Sequence, residues 1–157
     1  MSTEYFSLLR SMPVLAGLSD HTLEHLTGDA HEVARSPNDY FFRQGDSGDS
    51  LFVITQGSVW VERDWQGKNV ELGQLGKGDC FGEMSLIDLM PRSASVRAIG
   101  DCRALEIPHQ SLQGLFRQSL EQYAIIMMNM GREVSRRLRK ADDRLFSIEQ
   151  QLPELNA

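Results

Sequence analysis

The sequence has little of what defines several classes of protein. It contains only two cysteines, Cys80 and Cys102, in 157 residues, so it is not a disulfide-rich secreted scaffold, and we expect reduced thiols and a cytoplasmic location. No apolar run approaches the roughly 20 residues that a membrane-spanning helix needs. The N-terminus lacks the basic start and long apolar core of a signal peptide.

Positive charge is also scarce. The chain has 16 Lys and Arg against 22 Asp and Glu, a net charge of −6, and its pI is about 5.2. This balance argues against a general nucleic-acid binder. One basic cluster lies between Arg132 and Arg144, but the flanks of a coiled coil have the same composition. We expect neither a nucleic-acid nor a membrane partner.

The chain offers no motif for catalysis or for a cofactor. His21 and His25 would share one face of a helix, yet no third metal ligand is near them in the sequence, so we expect no metal site. The segment "GQLGKGD" has neither the spacing of a P-loop nor its Ser or Thr after the lysine. No nucleophile, base and orienting partner can be assembled by motif. The expectation is a protein that is not an enzyme.

Periodicity divides the chain into three zones, which we interpret as one domain spanning residues 1–157. Residues 1–29 and 110–152 have helical spacing, and Ser19 is placed to cap a helix. Residues 30–108 hold short runs between glycines, namely "DYFF", "LFVIT", "SVWVE", "VELGQL", "SASVRAI" and "RALEI". Such runs predict an antiparallel sandwich or barrel. The expected fold class is α+β, with helices on both sides of a β-roll.

Two local patterns add detail to the β zone. In "SVWVE", Val59 and Val61 alternate with Ser58, Trp60 and Glu62, which predicts a half-buried strand with the two valines on one face. In "DWQGK", Gly67 lies where a hairpin turn would need it.

The segment "FGEMSLIDLMPRSASVRA", residues 81–98, places charges among small and apolar side chains. Within it "GEMSLI" lacks strand alternation and fits a helical turn, at which Gly82 lets the backbone approach a ligand. The amides near Met84 and Ser85 would then suit an anion.

Arg92 is expected on the next strand, where its planar fork matches a phosphate. An ionised Glu83 accepts a hydrogen bond from a hydroxyl such as a ribose 2′-OH. Together these groups predict a sugar phosphate site. The alternative is that Glu83 and Arg92 pair with each other in a β-roll that binds no ligand.

This segment resembles the phosphate-binding cassette of the cyclic nucleotide-binding domain family. The upstream stretches "QGDSGDSLFVITQGSVWV" and "GKGDCFGE" resemble the family's first hairpins and the approach to the cassette. The resemblance covers roughly residues 15–138 and implies a β jelly roll flanked by helices. The ligand that it implies is cyclic AMP, or cyclic GMP as the second choice.

The resemblance also implies a role for each matched residue. The backbone contacts to the ligand would come from Gly82, Met84 and Ser85. Glu83 would accept the ribose 2′-OH, and Arg92 and Ser93 would hold the cyclic phosphate. The purine would lie against the strands that carry Val61 and Leu72.

Many bacterial members of the family carry a helix-turn-helix domain after the long C-terminal helix. This chain stops at Ala157, close to where such a domain would begin. The expectation is therefore a stand-alone sensor that signals through its C-terminal helices to an unknown downstream protein. The alternative function is a ligand-free module that uses the β-roll for dimerisation or docking.

The last helix carries a heptad pattern, formed by Val134, Leu138, Ala141, Leu145, Ile148 and Leu152. It predicts a parallel coiled coil, hence a homodimer. In that register Arg137 and Arg144 would face Asp142 and Glu149 of the partner subunit. The alternative is that the apolar stripe packs on the β-roll of its own chain.

Two residues near the end of this helix are candidates for contacting the base. In catabolite activators, a Thr-Ser pair reaches the adenine, and by position it falls on Ala141 and Asp142. Asp142 could accept a hydrogen bond from the adenine amino group. In relatives a hydrophobic residue from a C-terminal helix caps the bound base. Phe146, an aromatic residue off the heptad seam, is the candidate that this resemblance implies.

Overall fold

The computed structural model describes residues 3–155. The helices are α1 (Thr3–Arg10), α2 (Asp20–Gly28), α3 (Glu83–Asp88), α4 (His109–Gln118) and α5 (Leu120–Leu155), and a 3₁₀ turn spans Pro13–Leu15. The strands are β1 (His31–Arg35), β2 (Tyr40–Phe42), β3 (Ser50–Gln56), β4 (Ser58–Trp65), β5 (Lys68–Gly76), β6 (Cys80–Phe81), β7 (Ser95–Ala98) and β8 (Cys102–Pro108). No helix in this part of the chain is long and apolar enough to cross a membrane.

The strands form two antiparallel sheets, with the orders β1-β8-β3-β6 and β2-β7-β4-β5. Helices precede and follow this β-roll, so the predicted α+β fold class is confirmed. The predicted strand runs all contain observed strands, but β1 and β6 were not predicted. Strand β1 is mostly exposed and β6 has only two residues, so neither carries a clear alternation of buried and exposed positions.

Strand β3 lies between two hydrophobic cores because its side chains alternate in direction. Leu51 and Val53 pack with the helices, whereas Phe52 and Ile54 pack between the sheets. The phenyl rings of Phe52 and Phe81 are stacked there at 4.9 Å. A strand buried on both faces holds the helices and the second sheet in one arrangement, which fixes the frame of the site.

The alternation predicted for β4 fails at its centre. The sequence placed Val59 and Val61 on one face, but the pairing register shifts between Val61 and Glu62. This irregularity turns the Glu62 side chain inward, where it is 1% exposed. Its carboxylate accepts hydrogen bonds from Arg97 Nε at 2.7 Å and from the Tyr40 hydroxyl at 3.2 Å. A buried charge is tolerated here because it is fully paired.

The helical ends follow local sequence signals. The Ser19 side chain accepts a hydrogen bond from the Thr22 amide at 3.2 Å, so the predicted cap of α2 is confirmed. The hairpin predicted at Gly67 is also observed, with positive φ at both Gln66 and Gly67. Two residues with positive φ match the twist of antiparallel strands.

Gly57 and Gly67 form a matched pair for testing how tightly the roll is packed. Both have positive φ, but a Cβ on Gly57 would lie 2.4 Å from the Asp101 carbonyl oxygen, and a Cβ on Gly67 would have no atom within 4 Å. Gly67→Ala should therefore cost only the backbone strain, about 1 kcal/mol. Gly57→Ala adds an overlap with backbone and should cost about 3 kcal/mol. Urea denaturation that gives equal losses would show that the Gly57 turn relaxes freely.

Candidate functional site

The segment between β6 and β7 forms a short helix and a loop that bring the predicted charges together. Helix α3 starts after Gly82, which has φ +86°, and the helical turn predicted for "GEMSLI" is confirmed. A Cβ on Gly82 would lie 2.7 Å from Arg92 Nη1, and one on Gly48 would lie 2.0 Å from Arg92 Nε. These two glycines leave the space that the Arg92 side chain occupies.

Arg92 lies in the irregular segment before β7, so its prediction as a strand residue was wrong. The loop between β2 and β3 holds its backbone, because the Arg92 amide donates to Asp46 O and its carbonyl accepts from Gly45 N, both at 2.8 Å. The loop with the sequence "QGDSGD" therefore positions Arg92, although more than 40 residues separate the two along the chain.

The guanidinium of Arg92 points into the protein and is 5% exposed. It lies over the Phe42 ring, 4.1 Å from its centre, and donates to Gly82 O at 3.0 Å and to Ser50 O at 3.2 Å. Its Nε is buried without a hydrogen-bond partner among the described residues. Burial lowers the pKa of Arg92, while the carboxylate of Asp49 acts in the opposite direction.

Glu83, the first residue of α3, is buried as well, with 3% of the residue exposed. One oxygen, Oε1, accepts a hydrogen bond from Arg137 Nη1 at 2.5 Å. The other oxygen, Oε2, is buried and has no partner within residues 3–155. No hydrogen bond or ion pair between described residues joins Glu83 to Arg92. The alternative in which these two charges satisfy each other is therefore wrong.

Arg137 reaches Glu83 from the long helix α5. It also donates to the Cys80 carbonyl oxygen. Burial acts to lower the pKa of Arg137, but the carboxylates of Glu83 and Glu133 raise it above its ordinary value. Burial and Glu83 also raise the pKa of the Cys80 thiol to about 12, so this cysteine is neutral. The arginine thus joins α5 to the first turn of α3.

This contact corrects the predicted role of two arginines. The heptad register placed Arg137 and Arg144 toward a partner subunit, but both are bonded within the chain, Arg137 to Glu83 and Arg144 to the Leu72 carbonyl oxygen. Glu83 and Arg137 are 54 residues apart. A helical pattern shows which residues share a face, but not which surface that face meets, so the sequence held no signal for this pairing.

The remaining predicted site residues differ in exposure. Ser85 is buried and Met84 is about half exposed. The hydroxyl of Ser93 lies 3.6 Å from Met84 Sδ and is exposed. Val61 and Leu72 lie on the paired strands β4 and β5, half-buried and exposed respectively.

The segment of α5 with Asp142 and Phe146 flanks Arg144, which contacts β5. The side chains of Asp142 and Phe146 are exposed. Helix α5 therefore runs past the strand that carries Leu72. No group of three or more His, Cys, Asp or Glu residues in the described part of the chain is arranged to hold a metal ion.

The predicted apolar seam of α5 faces outward. Leu138, Leu145 and Ile148 are 60%, 58% and 56% exposed, and Ala141 and Leu152 are exposed too. Val134 alone is half-buried. The alternative in which the stripe packs on its own β-roll is therefore wrong for these exposed residues.

The sequence profile described as cyclic nucleotide-binding domain matches residues 32–119. The chain is 36% identical over 96 residues to the cAMP-dependent protein kinase type II regulatory subunit of Drosophila melanogaster, which is 61% of this chain and 26% of that protein. It is 31% identical over 132 residues to the cAMP-activated global transcriptional regulator CRP of Salmonella typhimurium, which is 83% of this chain and 61% of that protein. The chain thus spans less than two thirds of either relative.

A solved structure gives the same picture. A cyclic nucleotide-binding domain from Methylobacillus flagellatus superposes with a TM-score of 0.82 at 25% identity, over 92% of this chain and 84% of that chain. The similarity therefore includes the helices as well as the β-roll.

A double-mutant cycle would measure how strongly α5 is tied to α3. Arg137→Met leaves the Glu83 carboxylate buried without its cation and should cost about 3 kcal/mol of stability. Glu83→Gln combined with Arg137→Met should cost clearly less than the sum of the single changes, since neither charge is left alone. Arg139→Met, an exposed change on the same helix, serves as the control and should cost little. Additive losses in urea denaturation would show that the pair contributes nothing.

Proposed function

Because the chain belongs to the cyclic nucleotide-binding domain family, we propose that it is a sensor whose cassette binds a cyclic nucleotide. The main support is that two buried atoms, Arg92 Nε and Glu83 Oε2, have no hydrogen-bond partner within residues 3–155. Buried polar atoms without partners are costly. A phosphate oxygen would accept from Arg92, and a ribose hydroxyl would donate to Glu83. The proposed role is binding rather than catalysis.

The cyclic phosphate would lie beside Arg92 and the Ser93 hydroxyl, with the backbone of Gly82, Met84 and Ser85 along it. Within the described residues, the Arg92 guanidinium donates two hydrogen bonds, both to backbone carbonyls. Its other N–H groups would remain for a ligand. An arginine has five N–H donors. Its buried position against Phe42 would strengthen a bond to an anion, since water is largely excluded.

The base would lie between β5 and α5. The hydrogen bond from Arg144 to the Leu72 carbonyl oxygen holds the helix beside the strand expected to line the purine. Asp142 and Phe146 flank Arg144 and are the candidates for reading or capping the base. We propose cyclic AMP as the ligand, with cyclic GMP as the second choice, because the relatives named above are a cAMP-dependent kinase subunit and a cAMP-activated regulator. Asp142 could accept a hydrogen bond from the amino group of the base.

Ligand binding would be relayed by the contact between Glu83 and Arg137. A ribose hydroxyl at Glu83 changes the charge distribution that holds Arg137, and with it the attachment of α5. A ligand moves such an equilibrium only by its difference in affinity for the two positions of the helix. The output would leave along α5 to a downstream protein.

We propose in addition that the exposed seam of α5 is the interface of a homodimer. Val134, Leu138, Ala141, Leu145 and Ile148 would form its core in a parallel arrangement. Since Arg137 and Arg144 are engaged within the chain, apolar burial would supply most of the stabilisation. Charge pairs would contribute little.

The test of nucleotide binding is calorimetry with cyclic AMP, accompanied by thermal melts. At 100 times its dissociation constant, a ligand should stabilise the wild type by about 2.7 kcal/mol. Arg92→Ala should weaken binding more than about thirtyfold, and Arg92→Lys nearly as much, because an ammonium lacks the planar fork. Arg103→Ala, an exposed arginine of β8, should bind as the wild type does. Affinity within threefold for a folded Arg92→Ala would contradict the phosphate assignment, and no melt shift with any cyclic nucleotide would favour a ligand-free module.

The dimer has a separate test. Leu138→Asp places a charge opposite its own symmetry mate in an apolar seam and should convert the dimer to a monomer. Ser147→Asp introduces the same carboxylate at an exposed position off the seam and should leave the dimer intact. Sedimentation equilibrium distinguishes the outcomes. A dimer that persists in Leu138→Asp would place the interface elsewhere.

A further inference from the structure

A groove with a volume of about 390 Å³ lies between α4 and α5. Its α4 edge carries His109, Gln113 and Arg117. These positions are four residues apart and so follow one face of the helix. Leu112 and Phe116 of α4 also line the groove, so the polar face lies beside an apolar one. The nucleotide proposal uses none of these side chains.

The opposite wall is apolar. Tyr123, Met127 and Met130 line it from α5, and the Phe116 ring contacts the Tyr123 ring edge to face at 5.2 Å. Phe116 is 54% exposed, which is unusual for a phenylalanine beside a cavity. Methionine side chains adapt their shape to a ligand. The groove thus has the volume and the mixed lining that small-molecule sites have.

Charge on the polar edge indicates the sign of a ligand. Arg117 makes no hydrogen bond or ion pair with another described residue, and no Asp or Glu lines the groove. Arg117 lies in the last turn of α4, where its positive charge also interacts favourably with the partial negative charge at the helix C-terminus. His109 Nδ1 is buried without a hydrogen-bond partner within residues 3–155, although Nε2 lies 3.0 Å from Gln113 Nε2. Among the described residues, the polar edge therefore has one cation without a partner, Arg117, and a histidine with one unpaired ring nitrogen.

We propose that this groove binds a small organic anion with an apolar body, of the kind represented by a medium-chain carboxylic acid. The carboxylate would pair with Arg117, and the apolar body would lie along Tyr123, Met127 and Met130. Leu86 of α3 completes the lining, so the ligand would also touch the helix that begins with Glu83. The lining includes neither Arg92 nor Glu83, so this proposal does not rest on nucleotide binding at the cassette.

The experiment is a titration of the whole chain, without nucleotide, followed by NMR or calorimetry. Decanoate is the probe, and decylamine, which has the same chain length and the opposite charge, is its control. Decanoate should saturate one site in the low-millimolar range or tighter. Decylamine should bind at least about fivefold more weakly, because its ammonium would face Arg117. Absence of saturation, or equal binding of the two probes, would overturn the proposal.

Variants locate the site. Arg117→Gln should weaken decanoate about fivefold and remove the preference over decylamine. Arg103→Gln, an exposed arginine on β8, should change neither. Met127→Trp should fill the groove and block decanoate. Arg117→Gln alters an exposed side chain, so it should fold as the wild type does. If it also binds decanoate with unchanged affinity, the proposal is wrong, whatever the result for Met127→Trp.

Discussion

A guanidinium inside a protein is stabilised when oxygen atoms accept hydrogen bonds from it. Arg92 meets this condition through the carbonyls of Gly82 and Ser50, and it fits only because Gly48 and Gly82 carry no side chain. The strands and the loop that bring these backbones together are thereby tied to one arginine. Loss of either glycine would move the charge, so the cassette and the edge of the roll form one unit.

Helix α5 has two faces with different surroundings, one against the β-roll and one exposed. Arg137 and Arg144 face the chain's own β-roll, whereas Leu138, Leu145 and Ile148 face outward. A side chain that is already bonded within its own chain adds little to an interface, while exposed leucine and isoleucine gain by burial. The contact with the cassette and the outward apolar face therefore belong to the same helix.

Local features of the fold and the site were predictable from the sequence, and long-range ones were not. Gly82, Glu83 and Arg92 lie within one short segment whose pattern is specific, and Ser19 marks its helix by local chemistry. The irregularity that buries Glu62 depends on how β4 pairs with β5, which alternation along one strand cannot show. The partner of Glu83 comes from 54 residues away, and helical periodicity does not identify the surface that a face meets.

Helix α3 is where these arrangements converge, although it spans only Glu83–Asp88. Its first residue is held by Arg137, and Leu86, one turn later, lines the groove between α4 and α5. A six-residue helix is too short to be stable by itself, so its position is set by what its ends contact. A group that bonds Glu83 and a group that touches Leu86 would both act on that position. If both proposed sites bind their ligands, each ligand would change the affinity for the other by the same factor, because coupling between binding sites is reciprocal.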